Sequence, residues 1–150
     1  MYSLDHIAGL RISCEEYKLQ GREILEGRTD EELLAIYNGA GPDSWLPVAR
    51  DTLTSLMVLF EPVILLHDVQ FDQSDATEQG FNATVSCWEH NMRVIFDANY
   101  PLWTLKMLKR EYRLRRTYWW GVMKASNLAI SSSEAREAWL AAAERRTANA

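Results

Sequence analysis

The chain has 150 residues, 47% of them hydrophobic and 25% charged, with a formal net charge of −5. That length supports one domain with a sizeable core, and the balance reads as globular and soluble rather than disordered. An acidic chain is not a general nucleic-acid binder, and two isolated cysteines, Cys14 and Cys87, make neither a disulfide framework nor a Cys-x-x-Cys metal pair.

Those two cysteines read as buried thiols in a reducing compartment. Met1 to His6 lack the basic start and apolar run of a signal peptide, and no apolar stretch reaches the length of a membrane span. Cytoplasm is the expected location.

The opening segment, 2–27, is mixed, with Tyr17, Ile24 and Leu25 on one possible helical face. A short helix is predicted from Thr29 to Ile36. Thr29 is a good N-cap, Glu32 completes a capping box, and Asp30 and Glu31 favour the first turn through the helix dipole. Leu33, Leu34 and Ile36 pack inward, and the helix runs into a Gly39–Gly41 loop. Asp43 or Ser44 caps the next helix, with Pro47 tolerated in its first turn and Leu46, Leu53, Leu56 and Phe60 at helical spacing. Pro62 breaks this run near Glu61 and starts a new helix. Val63, Ile64, Leu65 and Leu66 bury that helix on most sides, leaving His67 and Asp68 at the core edge.

Residues 72–80 are polar and end in glycine, which predicts a loop. Phe81, Val85, Trp88, Met92 and Ile95 step by four, three, four and three, the clearest periodicity in the chain. Asn99-Tyr100-Pro101 closes that helix. A further helix is predicted from Pro101, with Leu105, Leu108, Tyr112 and Arg115 on one face and Gly121 as a loosening point. Ser131 to Ser133 cap a last helix to about Arg146, with Ala135, Ala138, Trp139 and Ala142 towards the protein. No strand pattern, repeat or low-complexity run occurs. The expected architecture is an all-α single domain of five or six helices, with a core over 29–97 and C-terminal helices over 101–146. The His67 helix and the Asn82 helix form an antiparallel pair across the short polar loop.

Charge is uneven. Residues 1–75 hold 14 acids and 5 bases, net −9; residues 76–150 hold 7 acids and 11 bases, net +4; the sum is −5. Lys106, Lys109, Arg110, Arg113, Arg115, Arg116 and Lys124 stand against one acid, Glu111, and are interleaved with Tyr112, Tyr118, Trp119 and Trp120. Bases beside interfacial aromatics suit an anionic membrane surface or phosphate groups. The bland alternative is a solvated helix face paired with the acidic half of the chain.

Tyr37-Asn38-Gly39-Ala40-Gly41-Pro42, followed by His67-Asp68-Val69-Gln70-Phe71, resembles the phospholipase A2 superfamily, in the compact form with a Tyr-x-Gly-x-Gly-Pro loop and a His-Asp-x-x-Tyr helix. Small phage and bacterial proteins carry similar segments. The resemblance spans about residues 36–92. It implies calcium held by carbonyls of Tyr37, Gly39 and Gly41 and by the Asp68 carboxylate. It also implies His67 as general base on a water that attacks a lipid ester, with calcium and a loop N–H stabilising the oxyanion. Phe71 stands where the family has Tyr. Asn82, the nearest candidate for the group that orients the histidine, is neutral where the family has Asp.

A calcium-dependent lipid esterase is therefore one expectation. A non-catalytic relative is the other, a phage or bacterial accessory protein, cytoplasmic or virion-associated, that binds a protein partner. The alternative at each motif is plain: a turn between helices at Gly39 to Pro42, a locally bonded Asp68, a core-edge His67. His90 reads as solvated and His6 carries no signal. Oligomeric state is left open.

Overall fold

A computed structural model describes residues 2–40 and 47–148. The described chain is all-α, with seven α-helices: α1 (Leu4–Glu16), α2 (Asp30–Ile36), α3 (Pro47–Leu56), α4 (Glu61–Asp72), α5 (Glu78–Asn99), α6 (Arg110–Ile130) and α7 (Ser133–Ala148). Short 3-10 turns lie at Arg22–Leu25, Val58–Phe60 and Leu105–Leu108. The expected five or six helices become seven because the opening segment holds a full helix, α1. Ser3 caps it by accepting from the His6 amide, and Ile7, Leu10 and Cys14 bury one face.

The capping box at α2 is formed as expected. The Glu32 amide donates to Thr29 Oγ1 and the Thr29 amide to Glu32 Oε2. The break expected near Glu61 falls earlier. α3 ends at Leu56, and the Val58–Asp72 stretch leaves it at 80°. Pro62 then sits inside the first turn of α4, where its missing N–H costs nothing. Gly41, Pro42, the caps Asp43 and Ser44, and Leu46 lie outside the described residues.

α5 begins at Glu78, three residues before the expected start at Phe81. Thr77 caps it by accepting from the Gly80 amide, and a Cβ at Gly80 would run into the Asp75 carboxylate. The helix expected from Pro101 begins only at Arg110. Leu105 and Leu108, expected on one face of that helix, stand exposed on a 3-10 turn. α6 passes through Gly121 unbroken. On α7, Trp139 is buried and Ala135 and Ala142 half-buried, while Ala138 faces solvent.

α4 is the hub. Glu61 to Leu66 and Val69 are all buried, and α1, α2, α5 and α7 pack around it. One core runs from Ile7 on α1 to Met123 on α6, so the first helix belongs to it as fully as the 29–97 region does. The α4–α5 pair is antiparallel as expected: Gln70 meets Cys87 (Nε2 to Sγ, 3.3 Å) and His67 meets Trp88 one turn on. α7 closes the far end. Trp139 lies edge-on against Phe71 with ring centres 5.1 Å apart, and its indole N–H donates to the Thr77 carbonyl. Both cysteines are free and buried, and burial pushes the Cys14 thiol up to about 12. Among the described residues no single helix is long and apolar enough to cross a membrane.

The link after α1 is held by two side chains of α5, Asn91 and Cys87. Asn91, fully buried, accepts from the Gln20 amide (2.8 Å) and donates to the Gln20 carbonyl (2.9 Å). Asn91→Ala leaves the Gln20 amide without its acceptor and the Gln20 carbonyl with the Cys87 thiol alone, at 3.1 Å, and is expected to cost about 2 kcal/mol, read by chemical denaturation. A loss below about 0.5 kcal/mol would show that water replaces the clamp.

Candidate functional site

The fold brings the Tyr37–Ala40 loop against the start of the polar end of α4. Asp68 is the contact. Its Oδ2 accepts from the Asn38 amide at 3.0 Å, and the Gly39 amide also points to the carboxylate. The Ala40 amide donates to Thr54 Oγ1 at 2.8 Å. Gly39 has φ +83, and a Cβ there would lie 2.7 Å from Thr54 Oγ1 and 2.8 Å from the Tyr2 hydroxyl. Glycine is required at this position on both counts. The sequence predicted a loop that offers carbonyls to a cation. The loop instead turns three successive N–H groups onto protein acceptors.

In this arrangement the Asp68 carboxylate already accepts from amide donors. One Asp68 oxygen is capped by an amide, and among the described residues no three His, Cys, Asp or Glu side chains converge on a point. Of the expected ligands, Tyr37, Gly39 and Asp68 are adjacent, and Gly41 lies outside the described residues. The loop N–H groups expected to steady an oxyanion are already engaged. Burial raises the Asp68 carboxyl above its ordinary value, with the neighbouring His67 and the Asn38 and Gly39 amides pulling against it.

His67 is packed between aromatic rings. Phe71 lies 4.4 Å away, centre to centre, and Trp88 presents an edge at 5.0 Å. Nδ1 is 3.8 Å from Asp68 Oδ1, beyond a hydrogen bond, and Nε2 is buried with no protein partner. Phe71 bridges His67 to Trp139, so the position where the family has Tyr here serves an apolar stack. A cleft of about 210 Å³ opens between Gln70, Gln73, Asp75, Thr84 and Trp139; neither His67 nor Asp68 lines it.

Asn82 is not the partner of His67. It lies on the exposed face of α5 between buried Phe81 and Thr84. Trp88, which does touch His67, is about 9 Å further along the axis and roughly 120° around it. In an antiparallel pair, Asn82 faces the end of α4 rather than its middle.

Sequence reasoning missed a second cluster beside the loop. His6 Nε2 lies 3.0 Å from Glu61 Oε2. The Tyr2 ring stacks on His6 and meets Tyr37 edge-on at 4.7 Å. Burial raises Glu61, with His6 drawing it back down. Burial and the nearby Glu61, Tyr2 and Asp68 push the Tyr37 hydroxyl far up, so it stays neutral. The signal that could have revealed His6 is its place in the first turn of a Ser3-capped helix, next to the buried Ile7.

The basic segment divides. Lys106, Lys109, Arg110 and Arg113 are exposed, as is Trp120, over which Lys124 sits at 5.9 Å. Arg116 and Trp119, expected on the same surface, are tied to the body. Arg116 Nε donates to the Tyr100 carbonyl and its guanidinium lies over Phe96 at 5.0 Å; Trp119 packs edge-on against Phe60. The expected pairing with the acidic half does not occur. Among the described residues none of these bases forms an ion pair with a carboxylate, whereas Arg11–Asp30 and Arg22–Glu15 pair within the N-terminal half. No family model, curated protein or solved structure matches the chain.

Two outcomes follow from the loop geometry. Millimolar calcium is expected to leave the melting temperature unchanged; a rise that Asp68→Asn abolishes would restore the metal. Asp68 with a raised pKa binds more protons folded than unfolded above 3.8, so its contribution is greatest in acid and is lost as pH rises through the shifted value. Asp68→Asn should therefore lose relative stability in acid and regain it towards neutral pH. Denaturation at both pH values checks this, and the opposite slope would mean that the amide donors outweigh burial.

Proposed function

We propose that this chain is a non-catalytic binding protein. The Tyr37–Gly39 and His67–Asp68 motifs hold its helical core together, and its working surface is the segment from Leu102 to Trp120. One observation carries this reading. Leu102, Trp103, Leu105, Leu108, Leu114, Tyr118 and Trp120 are all exposed within one stretch, among bases that form no ion pair with a carboxylate among the described residues. Single exposed apolar side chains are ordinary, but a contiguous set of large ones marks a contact surface. The motifs near His67 lack what catalysis needs. Among the described residues His67 Nε2 is buried with no partner to orient it, and the Asn38, Gly39 and Ala40 amides are engaged.

A second reading, a calcium-dependent phospholipase A2-like lipid ester hydrolase, is favoured by the adjacency of Asp68 and the Asn38 amide, which brings loop and helix together as the resemblance implies. In that reading His67 is the base, and movement of Trp88 or Phe71 opens it to water. Hydrolysis of a short-chain phospholipid, with and without calcium, separates the two. The binding reading expects no turnover in wild type and none from Asn82→Asp. Turnover that His67→Ala eliminates would establish the hydrolase.

A further inference from the structure

The 101–109 strap has an unusual construction. It follows α5 without returning to the core, and its apolar side chains point away from the body: Trp103 is 94% exposed, Leu105 84% and Leu108 79%. The strap is nevertheless braced. The Tyr112 hydroxyl donates to the Pro101 carbonyl at 2.9 Å, and Arg113 donates to the Met107 and Leu108 carbonyls at 3.0 and 3.2 Å. Arg116 holds the Tyr100 carbonyl just before it. Three side chains of one face of α6 thus grip the strap backbone, and the 3-10 turn at Leu105–Leu108 is fixed with its leucines outward. Between Arg110 and Tyr118 only Tyr112 and Arg116 are even half-buried.

We infer that this strap is a docking wedge for an anionic phospholipid surface, with Trp103, Leu105 and Leu108 entering the headgroup–acyl boundary and Lys106, Lys109 and Arg110 meeting the lipid phosphates. The inference rests on the binding reading above and names its partner. Three features select this occupant. Lys106 and Lys109 interrupt the apolar run of the strap and Arg110 follows it, which suits an interface that is apolar below and anionic above. Residues 101–116 carry six bases and one acid, net +5, in a chain of net −5. The basic surplus is confined to this segment, whereas a nucleic acid tracking a longer groove would meet the acidic remainder. Leucine offers nothing to a phosphate backbone, and among the described residues Trp103 is the most exposed aromatic ring. An amphipathic aromatic side chain of this kind anchors at the membrane–water boundary.

The test is co-sedimentation of the full chain with vesicles of phosphatidylcholine alone and of phosphatidylcholine mixed with phosphatidylglycerol. Wild type is expected to partition onto the mixed vesicles only, and less at high salt. Lys106→Gln with Arg110→Gln should weaken partitioning roughly thirtyfold. Trp103→Ser with Leu105→Ser should weaken it with unchanged circular dichroism, since both side chains lie outside the core. Equal binding to both vesicle types, or binding untouched by either double variant, overturns the wedge. No vesicle binding, with self-association or duplex DNA binding that the same variants abolish, overturns the lipid partner but leaves the binding reading standing. Vesicle binding together with His67-dependent hydrolysis supports the wedge and removes the non-catalytic reading.

Discussion

Val63 to Leu66 leave α4 no face to give to water. A helix apolar on every side is stable only when it is enclosed, and the rest of the fold is that enclosure. α1 and α2 cover one flank, α5 another and α7 the far end. The 80° turn between α3 and the stretch leading into α4 lets the chain enter the centre without a long loop. The Cys14 thiol donates to the Pro62 carbonyl, so the first helix touches α4 at its start. Phe60, fully buried, meets Trp119 of α6 at the same end.

Enclosing α4 makes its polar end a constraint. His67 and Asp68 follow the apolar run directly, so they come to rest where burial is nearly complete. A buried carboxylate must be satisfied, and the nearest donors are the amides of the Tyr37–Ala40 loop. Gly39 supplies the left-handed turn that aims those amides inward, and Thr54, Tyr2 and the His6–Glu61 pair close around it. The histidine finds rings instead of polar partners. The same residue types that make a catalytic centre when they face a cleft make a polar staple when they face each other.

The C-terminal part obeys a different rule. α6 joins the core from Arg116 onward: Arg116 lies over Phe96, Trp119 and Val122 are half-buried, and Met123 and Ser126 are buried. Its first turn and a half is mostly exposed. There it braces the strap with Tyr112, Arg113 and Arg116, and the stabilisation goes into fixing the direction of exposed side chains. The polar contacts that hold this region are side chain to backbone, which suits a surface whose own side chains must remain free.

Residues close together in the chain determined much of this protein. The Thr29–Glu32 capping box, the four-three rhythm from Phe81 to Ile95 and the stop at Tyr100-Pro101 each depend on spacing within a few turns, and each is formed. The all-α class and the α4–α5 pair follow from the same local periodicities and one short loop. Facing was decided by the tertiary structure. Leu105 and Leu108 have helical spacing, but they stand on a 3-10 turn with their side chains exposed. Asn82 sits one residue from a buried Phe, yet antiparallel packing sets Trp88 against His67 instead. Gly39 announced a tight turn, but whether the loop offered carbonyls or amides depended on Asp68 and Thr54, 29 and 15 residues away. A sequence states which groups can meet; only the packing around α4 fixed which way each one points.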